Sequence, residues 1–297
     1  MKIVFIGSSQ LRHIKNIYEN FGYQISIFNK SKANILFKLY NFSKLLWSDL
    51  VYCVGGIDYE SYSILRLAKV LGKKIIIHWI GTDVLIAQKK YLDTGKVINS
   101  DILNLAVSED LCKELRSIGV SSEYVPIVPP CIPYPPAPEM PESHAVLAYL
   151  PEGREAFYGW QQIKFLATHF PNIPFFIVAN NGIEENDIPS NIEFRGFLPH
   201  SELETLYSQI SILLRLTEHD GLPVMMLEAQ GMGRKVIHYN NFPFALRPAD
   251  KSDQALLELF SGLVSTPPKL DTAAKEYVDK TFAFSNLLLI YKEKGLV

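Results

Sequence analysis

Two carboxylates, Asp220 and Glu228, stand with seven residues between them in ISILLRLTEHDGLPVMMLEAQGMGRKVIHY, residues 210–239. A carboxylate can accept two hydrogen bonds from a vicinal diol such as a ribose. A turn leading into a helix offers backbone N–H groups to phosphate. The spacing alone is weak. With about a tenth of residues acidic, such a pair arises by chance about three times in a chain this long, so the context must carry it. That context is ordered. Ile210 to Leu216 is an apolar run of strand length, Thr217 to Gly221 a polar turn, and Pro223 stands where a first helical position would be. Val224 to Met232 reads as a helix closed by Gly233, and Lys235 to Tyr239 as a returning strand. The unit is strand–turn–helix–strand, of parallel α/β type.

The run TEHDGLPVMMLEAQGMGRKVI resembles the donor-site signature of glycosyltransferase family 4, Glu-x7-Glu, with Asp220 in the first acidic place. Glu218 is an alternative first acid, two residues too far from Glu228. The resemblance implies a retaining, nucleotide-sugar-dependent glycosyltransferase of α/β GT-B fold, in which two Rossmann-like doubly wound domains face each other across a cleft. It implies that Glu228 binds the donor ribose, that Asp220 lies beside the transferred sugar, and that the turn at Gly221 and Leu222 holds the diphosphate. HWIGTDV, residues 78–84, is similar to the family's His-Gly-Thr-Asp strand end, but Ile80 takes the histidine place and His78 stands two residues earlier. Two residues along a strand preserve the face, so His78 and Asp83 are candidate catalytic residues.

The family's diphosphate clamp, Gly-Arg and a later Lys-Gly, is matched by Arg154, while Tyr158 stands where the lysine is expected. Arg215, just before the donor turn, is the candidate second cation, since a guanidinium binds phosphate oxygens bidentately. The backbone around Phe197 is the implied base-binding edge, and Gly7 and Ser8, in the first βα turn, the implied acceptor side. That turn, G-S-S-Q, lacks the later glycines of a dinucleotide fingerprint.

The rest of the chain supplies the elements that would hold these residues. Lys2 to Gly7, Tyr23 to Phe28, Leu50 to Val54, Lys74 to Trp79, Leu103 to Ser108 and Ser122 to Val128 read as strands separated by helical stretches. Ser108 reads as the N-cap of a helix from Asp110. Eight of the 18 prolines fall between Pro126 and Pro141, a stiff connector, after which the pattern restarts at Ala145. The expected domains are 1–125, a linker over 126–143, a nucleotide-sugar-binding domain over 144–275, and a terminal helix over 276–297 that returns to the first domain.

The chain has 297 residues, a net charge of −2 and three scattered cysteines, which favours a reducing compartment and excludes a structural zinc framework and a broadly basic nucleic-acid binder. No cofactor or metal is expected, since no Asp-x-Asp pair occurs. Met1 leads straight into a strand, which reads as a cytoplasmic protein without a signal peptide. Residues 30–47, KSKANILFKLYNFSKLLW, interleave four lysines with apolar and aromatic residues and contain no acid. Such a segment suits peripheral contact with the inner face of a membrane, or a half-buried helix with snorkelling lysines. The expected partners are a nucleotide-sugar donor and a hydroxyl acceptor, whether glycan, lipid-linked or small. A nucleotide-sugar 2-epimerase and a non-catalytic partner subunit are the alternatives on the same fold.

Overall fold

The computed structural model describes residues 1–7, 11–28, 42–55, 59–96, 102–129 and 139–297. The chain divides into two compact units, Met1–Pro130 with Phe284–Val297, and Cys131–Ala283.

Unit 1 runs β1 (Lys2–Gly7), α1 (Leu11–Asn20), β2 (Gln24–Ile27), β3 (Leu50–Val54), α2 (Tyr59–Val70), β4 (Lys74–Trp79), α3 (Thr82–Thr94), β5 (Leu103–Ala106), α4 (Glu109–Ser117) and β6 (Glu123–Tyr124). Its strands form one parallel sheet in the order β2-β1-β3-β4-β5-β6. LVYCV in β3 is buried throughout and β4 nearly so, which is why both read as near-continuous apolar runs. The Ser108 side chain accepts from the Leu111 N–H and caps α4, as the sequence predicts.

Two elements differ from expectation. The strand expected over 122–128 is only two residues long, because Pro126 and Pro129 cannot donate to a ladder. Helix α3 has no clear apolar stripe to announce it: Val84 and Ala87 are buried while Ile86 and Leu92 are exposed.

Unit 2 runs β7 (Val146–Tyr149), α5 (Trp160–His169), β8 (Phe175–Val178), β9 (Ile192–Gly196), α6 (His200–Gln209), β10 (Ile212–Arg215), α7 (Val224–Gly231), β11 (Lys235–His238), α8 (Asp253–Val264) and α9 (Thr272–Thr281). The parallel order is β11-β10-β7-β8-β9. Chain order reverses at β7, which lies between β8 and β10, so the carboxyl ends of β7 and β10 form the switch point where such sheets take ligands. Val146, Leu166, Phe175, Leu214 and Phe260 are fully buried core members. Each contributes roughly 1.5–3 kcal/mol.

The last helix, α10 (Phe284–Glu293), belongs to unit 1. Its Tyr291 meets Tyr18 edge-on at 5.9 Å, and Lys294 pairs with Glu123 at 2.8 Å. No described helix is long and apolar enough to cross a membrane.

Candidate functional site

In unit 2, β10 ends on Arg215, and its register partner across the ladder is His238, the last residue of β11. Asp220, in the turn after β10, bonds Arg215 and lies beside His238. Arg215 Nε donates to Asp220 Oδ2 at 2.8 Å, and His238 Nε2 lies 3.9 Å from the same oxygen. The Gly221 N–H donates to Oδ1 at 3.1 Å. Burial works against charge on Asp220, but the Arg215 guanidinium and the His238 ring outweigh it and hold the carboxyl at about 2. The pair is therefore ionised at neutral pH.

Arg215 also lies over the rings of Tyr149 and Tyr158, 4.8 and 5.0 Å from their centroids. Exposed Arg154 lies 5.2 Å from Tyr158 and 4.4 Å from Phe157. Tyr158, in the place of the expected lysine, thus stands between two guanidiniums. Gly159 lets this turn approach β10. Its φ is +77, and a Cβ there would fall 2.7 Å from Leu216. The Glu218 N–H then donates to Phe157 O at 3.1 Å, tying the β7–α5 turn to the β10–α7 turn.

Pro223 precedes the first helical residue of α7 rather than occupying it, with φ −73, and no side chain caps the helix. The Met226 and Leu227 N–H groups donate to Pro223 O at 3.0 and 3.3 Å, and the helix dipole gives that end a partial positive charge. Gly221 and Leu222 form the approach to this end. Glu228 is one turn further along, 4% exposed. Tyr207 Oη donates to its Oε2 at 2.8 Å, and His200 Nδ1 lies 3.9 Å from its Oε1.

Two more turns at this edge are fastened to the β7–α5 turn. Asn181 donates from its backbone and side chain to Glu152, Asn180 Nδ2 donates to Glu155, and the Gly196 N–H donates to Asn180 O. Ala179 takes a left-handed φ of 67, uncommon outside glycine. Phe197, next to Gly196, is 72% exposed. Its side chain is available for contact, beside the backbone to which the sequence reading assigns base binding.

Unit 1 treats its candidates differently. Gly7 has φ +133, and a Cβ would lie 1.8 Å from Val54 O, so the approach of β1 to β3 itself requires glycine. Ser8 lies outside the described residues. His78 is 0% exposed. Its Nδ1 accepts from Tyr52 Oη at 2.8 Å, and its Nε2 donates to Val125 O at 2.7 Å. Burial drives its pKa down to about 3, so it is neutral. The expectation of a cleft-facing imidazole gives way to a core histidine: residues two apart do share a face, but at this depth of β4 that face is interior. Asp83 is buried and accepts from the backbone of Ile80 and Gly81, which fixes the start of α3. Burial raises its pKa against those donors.

The sheet thus brings together Arg215, Asp220, Gly221 and Leu222, with Arg154 linked through Tyr158 and Glu228 further along α7. His78 and Asp83 are occupied within unit 1. Sequence reasoning missed Tyr149, Tyr207 and His238. The available signal was a polar residue ending an apolar strand, LLR at 213–215 and VIH at 236–238. Among the described residues, no three His, Cys, Asp or Glu side chains are grouped to hold a metal ion.

No protein-family profile matches the sequence, and no curated protein matches it. Solved structures do match. A sucrose-phosphate synthase from Thermosynechococcus elongatus superposes with a TM-score of 0.72 at 12% identity, over 99% of this chain and 98% of that one. HepE from Anabaena, in complex with UDP and glucose, gives 0.69 at 13% identity, over 99% of both chains. The fold is GT-B. WaaG, a glycosyltransferase involved in lipopolysaccharide biosynthesis, gives 0.58 at 11% identity, over 98% of both. GT-B glycosyltransferases thus share this chain's architecture across nearly its whole length.

Proposed function

We propose that unit 2 binds a nucleoside-diphosphate sugar at the β7–β10 switch point and that the protein is a retaining glycosyltransferase acting on a hydroxyl acceptor. The observation that carries this reading is the buried Arg215–Asp220 pair under the uncapped start of α7, with Glu228 on the same helix. Arg215, Arg154 and the α7 N-terminus would stabilise the departing diphosphate, a preorganised electrostatic role that needs no enzyme nucleophile. Glu228, oriented by Tyr207, would accept from the ribose hydroxyls, and Asp220 would lie beside the transferred sugar. The backbone at Phe197 would border the base. No metal enters this scheme, in keeping with the lack of an Asp-x-Asp pair. HepE is solved with UDP and glucose, which makes a uridine donor the first to try.

We assign the acceptor to unit 1 on the family resemblance. Chemically it is a glycan, lipid-linked or small-molecule hydroxyl. Of residues 30–47, only 42–47 are described, as a helical turn. Trp47 there is 73% exposed, with Lys2 Nζ 3.9 Å from its ring, which supports a cytoplasmic protein touching the inner membrane face through this segment.

A thermal-shift panel of nucleoside diphosphates, followed by their sugars, tests the reading. Stabilisation by one diphosphate, and loss of about 1.5–3 kcal/mol of its affinity in Glu228→Ala, is expected, the range for hydrogen bonds to a charged group. Unchanged binding in that variant would remove Glu228 from the site. Inversion at C2 of the donor sugar without an acceptor would redirect the activity to epimerisation.

A further inference from the structure

His238 is a buried histidine with one nitrogen in use and one not. Its ring is fixed from two sides: Nδ1 accepts from the Asn240 N–H at 2.8 Å, and Phe242 meets the ring edge-on at 4.7 Å, while the backbone N–H of His238 donates to Leu246 O. Because Nδ1 is an acceptor, the proton of the neutral ring sits on Nε2. That N–H has no partner within hydrogen-bond distance among the described residues, although the side chain is 0% exposed. Buried donors are rarely left so, and each such case asks for an explanation. The nearest charged atom is Asp220 Oδ2 at 3.9 Å, which is beyond hydrogen-bond range. That oxygen is held instead by Arg215 Nε at 2.8 Å.

The register makes this arrangement specific. Arg215 and His238 are direct partners on adjacent parallel strands, so they flank Asp220 from neighbouring positions at the same level of the sheet. Asp220 has two donors aimed at one oxygen and uses one. Arg215 meets Asp220 through Nε, and a guanidinium carries two further nitrogens of a kind that suit phosphate oxygens. When a diphosphate draws on that guanidinium, Asp220 needs a second donor to keep its orientation, and His238 Nε2–H is the one already in place.

We propose that His238 is a positioning residue of the donor site: once the diphosphate engages Arg215, Asp220 closes onto His238 Nε2–H and is held by it in the occupied state. The inference rests on the donor-site reading above.

Two variants separate the ring nitrogens. In His238→Asn the amide oxygen replaces Nδ1 and still accepts from Asn240, but nothing replaces Nε2. In His238→Gln the amide nitrogen reaches the Nε2 position. UDP, GDP and ADP, and then UDP-glucose, are titrated into the wild type and both variants. His238→Gln should keep the wild-type affinity to within about twofold. His238→Asn should keep its ligand-free melting temperature yet bind roughly tenfold or more weakly, the scale of a hydrogen bond to a charged acceptor. Wild-type affinity in His238→Asn overturns the proposal and leaves the donor site standing. Binding of none of the nucleotides by the wild type removes the donor-site reading, and the proposal with it. Should His238→Asn fail to fold, the imidazole N–H proton of the wild type decides: its resonance should move downfield on nucleotide addition, and a resonance that stays in place while the nucleotide binds rejects the closure.

Discussion

Each unit carries a fully buried histidine near the carboxyl end of a parallel strand, His78 on β4 and His238 on β11. Their surroundings differ in one respect. Both ring nitrogens of His78 are matched, by a tyrosine hydroxyl and a backbone carbonyl. His238 has one nitrogen matched and the other turned toward a carboxylate it does not reach. Burial cannot tell these two residues apart, whereas a count of donors and acceptors can. A satisfied buried histidine stabilises its own unit, and an unsatisfied one beside a charged pair is available to a ligand-bound state.

The comparison would be broken most visibly at His78. Replacement by leucine strands the Tyr52 hydroxyl and the Val125 carbonyl together, at about 1–3 kcal/mol each. Unfolding by urea should therefore show unit 1 weakened by about 4 kcal/mol, with nucleotide affinity unchanged. Lost affinity at unchanged stability would return His78 to the site.

Asp220→Asn comes next. It leaves Arg215, which is only 8% exposed, as an unpaired charge at the end of β10. Unit 2 should lose about 3 kcal/mol, and nucleotide binding should weaken as well, because Arg215 is no longer oriented. Calorimetry of the variant with and without nucleotide checks both halves. A variant that keeps full stability would mean the pair is solvated.

The smallest effect, read over a single pH unit, is a pH dependence. His78 has its pKa lowered from 6.5 to about 3, so its neutral form is the one built into the fold. Its contribution is fully present above 6.5 and is lost as pH falls toward 3, because the unfolded chain takes up a proton that the folded chain refuses. Within that window the slope is about 1.4 kcal/mol per pH unit. His78→Gln should remove this component from the stability–pH curve of unit 1. Asp220 acts lower, its contribution being lost only as pH falls from 3.8 through about 2. An unchanged curve in His78→Gln would mean that the imidazole is hydrated and not in the core.

The same contrast explains which parts of the molecule were legible beforehand. The strand β4 over Lys74–Trp79 and the Ser108 cap were readable because apolar runs and cap residues act over a few neighbours. The turn that holds Asp220 was readable for the same reason, since strand, turn and helix follow one another within about twenty residues of sequence.

What the sequence alone determined was therefore local: two parallel α/β units, and a strand–turn–helix unit that carries Asp220, Gly221 and Glu228. What only the tertiary structure decided was which of those groups are already engaged. His78 meets Tyr52 and Val125, which lie 26 and 47 residues away, and Tyr207 reaches Glu228 across 21. Arg215 and His238 become neighbours only through the pairing of β10 with β11. Whether a polar side chain serves the core or the ligand depends on the partners it has already found. Those partners lie on other elements, at separations set by strand order and register rather than by any local pattern of residues.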